Sequence, residues 1–81
     1  MISEELKIFI RENFNLDSEY LLNDDTEFFG SGIIDSTGIL EVVSFLEEKY
    51  NIHVEDEELV PENLDSVARI IKFLEKKNVT Q

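Results

Sequence analysis

Apolar residues recur at helical spacing in three stretches of this chain, and between them the period lapses. From Ser3 to about Phe14, residues Leu6, Phe9 and Ile10, with Ile2 one turn earlier, fall on one face. Ser3 is placed to cap this predicted helix, and Glu4 and Glu5 suit the positive end of its dipole. Ile8 falls away from the face and is expected to be exposed. The strongest pattern runs from Ser36 to Tyr50. Turning each residue by about 100° gathers Ile39, Val42, Val43, Leu46 and Tyr50 into a core stripe. The opposite side collects Thr37, Leu40, Glu41, Ser44, Glu47 and Glu48, an acidic surface interrupted by one large apolar residue. A last helix is expected to start near Asn63 to Asp65 and to end near Lys77. It carries Leu64, Val67, Ala68, Ile71 and Leu74 on one face, with Lys72, Lys76 and Lys77 toward its negative end.

Residues 15–34 hold no sustained period and are rich in turn and cap formers: Asn15, Asn23-Asp24-Asp25-Thr26 and Gly30-Ser31-Gly32. They read as a long loop. A free loop of roughly 20 residues is unusual in a compact domain, so apolar residues must pin it. The available pins are Tyr20-Leu21-Leu22, Phe28-Phe29 and Ile33-Ile34. Residues 51–63 offer Ile52 and Val54 for burial, then the solvated acidic run Glu55-Asp56-Glu57-Glu58, with a short helical turn near Asp56 to Leu59. These segments give an all-α, small four-helix bundle in one domain over residues 1–81: three main helices, one short helix and a long first loop.

Composition narrows the function. A chain of 81 residues holds one modest core, which argues against a deep catalytic cleft. A hydrophobic fraction of 42% is ordinary for a folded domain. The formal net charge of −12, nineteen carboxylates against seven basic groups, argues against binding nucleic acid or anionic membranes and calls for partners with basic surfaces. Cysteine is absent, so any thiol the protein uses must come from a cofactor, and a reducing compartment is compatible. The N-terminal residues lack the basic and apolar regions of a secretory signal, and no run is long enough to span a membrane. A soluble, free-standing, cytoplasmic monomer is the expectation.

The chemistry-bearing residues are few. His53 is the only histidine and reads as a lone surface residue, which removes a serine-histidine-carboxylate triad. A calcium hand fails because aligning its glycine with Gly30 puts Phe29 and Ser36 where oxygen ligands are required. Gly30-Ser31-Gly32 lacks the Lys-Ser/Thr of a phosphate loop. The pair Asp-Ser occurs at Asp17-Ser18, Asp35-Ser36 and Asp65-Ser66. The last has a sufficient explanation as a helix-start cap, and the first sits in the loop without flanking glycines. Asp35-Ser36 follows Gly30-Ser31-Gly32-Ile33-Ile34 directly. On local physics this stretch is a glycine turn, two core residues and a cap. It is equally a hydroxyl at a helix N-terminus, where free amides and the dipole stabilise an attached phosphodiester.

In combination, these features resemble the acyl carrier protein family. The resemblance covers nearly the whole chain: a short acidic protein with a long first loop, Ile34-Asp35-Ser36, Glu41, Leu46-Glu47-Glu48, Tyr50, Ile52-x-Val54 and Asp56-Glu57-Glu58. It implies that Ser36 receives phosphopantetheine from coenzyme A through a phosphopantetheinyl transferase, and that the thiol of the arm carries an acyl group as a thioester. Asp35 would help present Ser36 to the magnesium-dependent transferase. Glu41, Glu47 and Glu48 would meet basic patches on the enzymes that load and process the acyl group. The protein would then be a carrier and not an enzyme.

Two departures from the family pattern stand out. Thr37 and Gly38 replace a more apolar first turn, at a cost of up to about 1 kcal/mol if the glycine lies in a helix interior. Phe45 replaces a residue that is commonly small. The run Phe28-Phe29-Gly30-Ser31-Gly32-Ile33-Ile34-Asp35-Ser36 also resembles D-alanyl and other stand-alone aminoacyl or peptidyl carriers, which points to a specialised pathway. Fatty acid, polyketide, peptide and aminoacyl cargo stay open. So does the alternative of an acidic helical interaction module with no prosthetic group.

Overall fold

The computed structural model describes residues 2–14, 16 and 22–79. Among them the elements are helix α1 (Ile2–Asn13), one-turn helix α2 (Phe28–Ser31), helix α3 (Gly38–Tyr50), a 3-10 turn (Asp56–Glu58), one-turn helix α4 (Pro61–Leu64) and helix α5 (Val67–Lys76). No strand occurs among the described residues. The three long helices are those the periodicity predicts, and the 3-10 turn lies at the expected short helical turn.

The core is built from one stripe of each long helix. Ile2, Leu6 and Ile10 of α1 are buried with Ile39, Val42, Val43 and Leu46 of α3 and with Val67, Ile70, Phe73 and Leu74 of α5. α5 packs against both α1 and α4. Tyr50 is half-buried: its hydroxyl donates to Glu5 Oε1 at 2.8 Å and so ties α3 to α1. Val54 is buried as expected, whereas Ile52 is half-buried.

The final helix differs from the expectation in start and face. Leu64 belongs to α4, which Pro61 opens with its pre-set φ, and α5 begins only at Val67. The buried face of α5 is centred on Val67, Ile70, Phe73 and Leu74, while Ala68 and Ile71 are half-buried at its edge. Leu64 continues the spacing of the expected face but lies on α4, so the buried face of α5 is turned from the expected one by part of a turn. α1 already includes Ile2, so Ser3 lies inside the helix and does not cap it.

The long loop is pinned by a short helix that the periodicity does not register. Leu22, Phe28 and Ile34 are buried, in agreement with three of the expected pins; Phe29 stays on the surface, and Tyr20 and Leu21 lie outside the described residues, as do Asp17 and Ser18. Backbone polar groups supply the rest. The Phe28 N–H donates to the Asp65 carbonyl at 2.8 Å and the Phe29 N–H to Asp65 Oδ1 at 2.9 Å. Two orphan amides at the start of α2 are thereby satisfied by one residue far along the chain. Asp24 reciprocates, its carbonyl accepting the Ala68 N–H at 2.9 Å.

Asp65-Ser66 therefore divides its work. Ser66 Oγ caps α5 by accepting the Arg69 N–H at 3.2 Å, as expected of a helix-start serine. Asp65 serves α2 instead. Gly32 then closes α2 with φ at 79°, a left-handed position that glycine adopts without strain, and its N–H donates to the Phe29 carbonyl at 3.2 Å. With Ile34 buried two residues later, the path into α3 is fixed.

The acidic run is less free than expected. Glu58 is half-buried and pairs with Lys77 Nζ at 2.8 Å, and it also accepts the Glu55 N–H at 2.9 Å. Lys77 lies 5.5 Å from the centroid of the Phe73 ring, so the end of α5 is tied to the 3-10 turn. These contacts hold the Glu58 carboxyl below the usual range, the Lys77 hydrogen bond being the largest cause.

Candidate functional site

The start of α3 is built by Asp35. Its carbonyl accepts the Ile39 N–H at 3.1 Å and its Oδ1 accepts the Gly38 N–H at 2.7 Å. A residue whose carbonyl takes the first helical bond and whose side chain takes a first-turn amide is a helix N-cap. Ser36 and Thr37 therefore form the opening turn of α3, and the Leu40 N–H reaches the Thr37 carbonyl at 3.2 Å. Ser36 is exposed, and no acceptor among the described residues meets its N–H or that of Thr37. A hydroxyl and open amides share one exposed turn at the positive end of a helix.

Gly38 is the third helical residue of that turn, so the penalty of a glycine in a helix interior does not apply. A Cβ at this position would lie 2.7 Å from Phe14 Cε1 and 3.3 Å from both Asp35 Oδ1 and Ile34 Cγ2. The glycine is buried because the Phe14 ring, at the end of α1, sits against the backbone here. The departure at position 38 thus has a packing reason.

The outer side of α3 meets α1 in an open groove of about 430 Å³. Leu40, Glu41, Ser44 and Glu48 of the expected docking side line it. Phe9 and Asn13 of α1, together with Phe45 of α3, complete its lining. Phe45 stacks on Phe9 with ring centroids 4.2 Å apart and planes 20° apart, and it meets Tyr50 edge-on at 6.3 Å. Leu40 is 54% exposed. Neither Phe9 nor Asn13 stands out in the sequence, because Phe9 reads as one more core residue of α1. The large residue at Phe45 was the available signal that α3 had an aromatic partner on the facing helix.

Glu47 parts company with this set. Its Oε2 accepts the Val54 N–H at 2.9 Å and lies 3.5 Å from His53 Nδ1, so it fastens the strap that follows α3. His53 is on the surface as expected but is flanked by two carboxylates, with Glu55 Oε1 3.3 Å from its Nε2. Thr37 is exposed and lies outside the groove.

The groove walls are held in register at the Glu5–Tyr50 contact. The Tyr50 hydroxyl and then Lys49, whose Nζ is 3.4 Å from Glu5 Oε2, hold the Glu5 carboxyl below the usual range. Burial, followed by the Glu5 hydrogen bond, pushes the Tyr50 phenol well up. Among the described residues no cluster of histidine and carboxylate side chains could hold a metal ion, and no helix is long and apolar enough to cross a membrane.

Comparison with known proteins gives the family. No protein-family profile matches the chain. It is 33% identical over 78 residues to the acyl carrier protein of Buchnera aphidicola subsp. Acyrthosiphon pisum (strain Tuc7), covering 96% of this chain and 94% of that one. It is 31% identical over 72 residues to the acyl carrier protein of Helicobacter pylori, covering 89% and 88%. A chain from a crystal structure of FAD-dependent dehydrogenase superposes with a TM-score of 0.75 at 20% identity, over 85% of this chain and 97% of that one, and shows the fold alone. Identity of 31–33% over nearly the full length to proteins of that name, on a fold that has helices and no strand among the described residues, means that the chain belongs to the acyl carrier protein family, whose members are carriers and not enzymes.

Proposed function

We propose that Ser36 is the attachment point of the phosphopantetheine arm that the family uses, and that the protein presents acyl intermediates to partner enzymes in a specialised pathway. The observation that carries this reading is the Asp35 cap, which sets the exposed Ser36 hydroxyl in the first turn of α3 beside open amides. The residues fit the group. A phosphodiester on Ser36 Oγ is stabilised by those amides and by the helix dipole. When bound, the arm supplies the thiol this cysteine-free chain lacks and holds cargo as a thioester.

Asp35 has two parts in this reading: it orders the turn by capping it, and it adds a carboxylate beside the hydroxyl for the magnesium-dependent transferase. The acidic side of α3 docks the partners, namely the phosphopantetheinyl transferase and the enzymes that load and process the acyl group. Exposed carboxylate pairs are individually weak, so these contacts are transient and salt-sensitive. Docking falls to Leu40, Glu41, Ser44 and Glu48, with Thr37 next to the attachment point. Glu47 contributes by holding the residues after α3.

The test is incorporation of the arm. Purified protein incubated with coenzyme A, magnesium and a broad-specificity transferase gains the mass of phosphopantetheine, and Ser36→Ala gains nothing. Failure of wild type to gain the arm with several transferases defeats the attachment reading in favour of an interaction module without a prosthetic group. Gain by Ser36→Ala places the arm elsewhere.

A further inference from the structure

We propose that the outer face of α5 is a second docking surface, opposite in charge to that of α3. It takes a segment of a partner protein that carries carboxylates for Arg69, Lys72 and Lys76 and a cation for Asp25 and Glu27.

Four of the seven basic residues fall between positions 69 and 77. Lys77 is engaged by Glu58. Arg69, Lys72 and Lys76 are exposed and share one face, within an arc of about 60° and over about 10 Å of helix axis. In a chain of nineteen carboxylates, none of these three forms an ion pair among the described residues, not even with Glu75 beside them on α5. The helix dipole accounts for Lys76, in the last turn, but not for Arg69. Ser66 is the N-cap, so Arg69 is the third residue of α5 and sits at the positive end, where a cation opposes the dipole and an acid is favoured. Its Nη1 donates to the Pro61 carbonyl at 3.4 Å, a long contact that neutralises no charge. Stability of the helix therefore gives no reason for a cation at this position.

The ground beside the stripe narrows the occupant. Arg69 and Lys72 line an open cleft of about 520 Å³ with Ser66, Ala68, Asp25 and Glu27. Both signs of charge line it, yet no ion pair joins them. A protein segment with charges of both signs complements both sets. A phosphate backbone or an anionic membrane brings negative charge alone, against Asp25, Glu27 and a net charge of −12. The cleft shares no lining residue with the α1–α3 groove, so this contact uses residues other than those that dock enzymes on α3.

The net charge also sets the salt dependence. The molecule spans 33 × 25 × 20 Å. At about 0.01 M salt the screening length is about 30 Å, so the whole acidic surface repels the partner's carboxylates. At about 0.1 M it is about 10 Å, and the cations in contact outweigh the distant acids. Affinity is therefore expected to rise over that range and to fall again toward about 1 M.

The experiment is a footprint on the full, unloaded chain. Isotope-labelled protein is titrated with a synthetic helical peptide that carries glutamates at i, i+3 and i+7 and a lysine beside them, and amide shifts are read by NMR. Shifts are expected to concentrate at Asp25, Glu27, Arg69 and Lys72. At about 0.1 M salt, Arg69→Gln is expected to weaken binding about fivefold and Lys72→Gln about threefold. Lys49→Gln removes the same charge from α3 and leaves binding unchanged. A peptide with its lysine replaced by glutamate binds about threefold more weakly. Arg69→Gln is expected to keep or raise Tm, because it takes a cation from the positive end of α5.

Equal losses from Lys49→Gln and Arg69→Gln, or undiminished binding of the all-glutamate peptide, overturn the proposal. So does tighter binding of a DNA duplex or of phosphatidylglycerol vesicles than of the peptide. A fall in Tm for Arg69→Gln gives that residue a structural role and removes the argument from the dipole. A concentration-dependent dimer abolished by Arg69→Gln gives the stripe to the acidic surface of a second copy. Incorporation of the arm is read separately by intact mass: a chain that never loads but shows this footprint refutes the arm alone.

Discussion

Gly38→Ala sets two effects of opposite sign against each other. Replacing glycine with alanine at a backbone position that alanine can adopt stabilises by about 0.4–1 kcal/mol, because the unfolded chain has less freedom to lose. Gly38 has an ordinary helical setting, so the backbone raises no objection. The side chain does: the new Cβ lies 2.7 Å from Phe14 Cε1, about 1 Å inside optimal carbon contact. Swinging the ring away does not free the site, since Asp35 Oδ1 and Ile34 Cγ2 at 3.3 Å close two other sides. Overpacking costs about 1–3 kcal/mol, and part of it falls on the cap that orders Ser36. The expected net is a loss of about 1 kcal/mol, which lowers Tm by about 4–8 °C in a domain of this size. Circular-dichroism melts measure it, and Phe14→Leu should recover part of the loss when combined with Gly38→Ala. A Tm at or above wild type, or no recovery in the double variant, refutes the close-packing argument.

Other substitutions separate structure from chemistry around the same turn. Asp35→Ala should cost about 1 kcal/mol in chemical denaturation through loss of the cap, while Asp35→Asn keeps an acceptor and stays within about 0.5 kcal/mol; if Asp35→Asn nonetheless loads slowly, the charge acts in loading. Asp65→Ala strands the Phe29 amide and should cost about 1 kcal/mol, with faster hydrogen exchange at Phe28 and Phe29 than in Asp65→Asn. The Tyr50–Glu5 bond gives a pH test. Glu5 has its carboxyl lowered from 4.5, so its contribution is present above that value and is lost as pH falls through the folded-state pKa. The Tm gap between wild type and Tyr50→Phe should therefore be wide at pH 7 and shrink toward pH 3; a gap independent of pH refutes the assignment.

The helical period carries enough information to place α1, α3 and α5, because burying one stripe of a helix forces apolar residues to recur every three or four positions. The same stripe on α3 leaves its opposite side legible as acidic, and Asp35-Ser36 stands out beside it by local chemistry. Local pattern fails where a partner is distant in sequence. Nothing near Phe28 announces α2, because a single turn is too short to show a period and its amides are satisfied by Asp65. Leu64 fits the spacing of α5 yet lies outside it, because Pro61 starts a separate turn that happens to continue the pattern. Glu47 reads as one more surface acid, yet its carboxylate is engaged by Val54 once the chain turns back.

Gly38 and Phe45 show the division most clearly. In the sequence each is a departure without a cause: a glycine at a helix start and a ring where a small residue is usual. The tertiary structure supplies the cause by laying α1 against α3, so that Phe14 needs the missing Cβ and Phe9 meets the added ring. The sequence by itself determined the three long helices, the buried stripes of α1 and α3, and that the Ser36 hydroxyl follows Asp35 at the start of α3, since these follow from interactions within a few residues. Only the packing of α1 on α3 decided what lies against that turn at Gly38 and what groove lies beside it, because those contacts join residues that no local pattern relates.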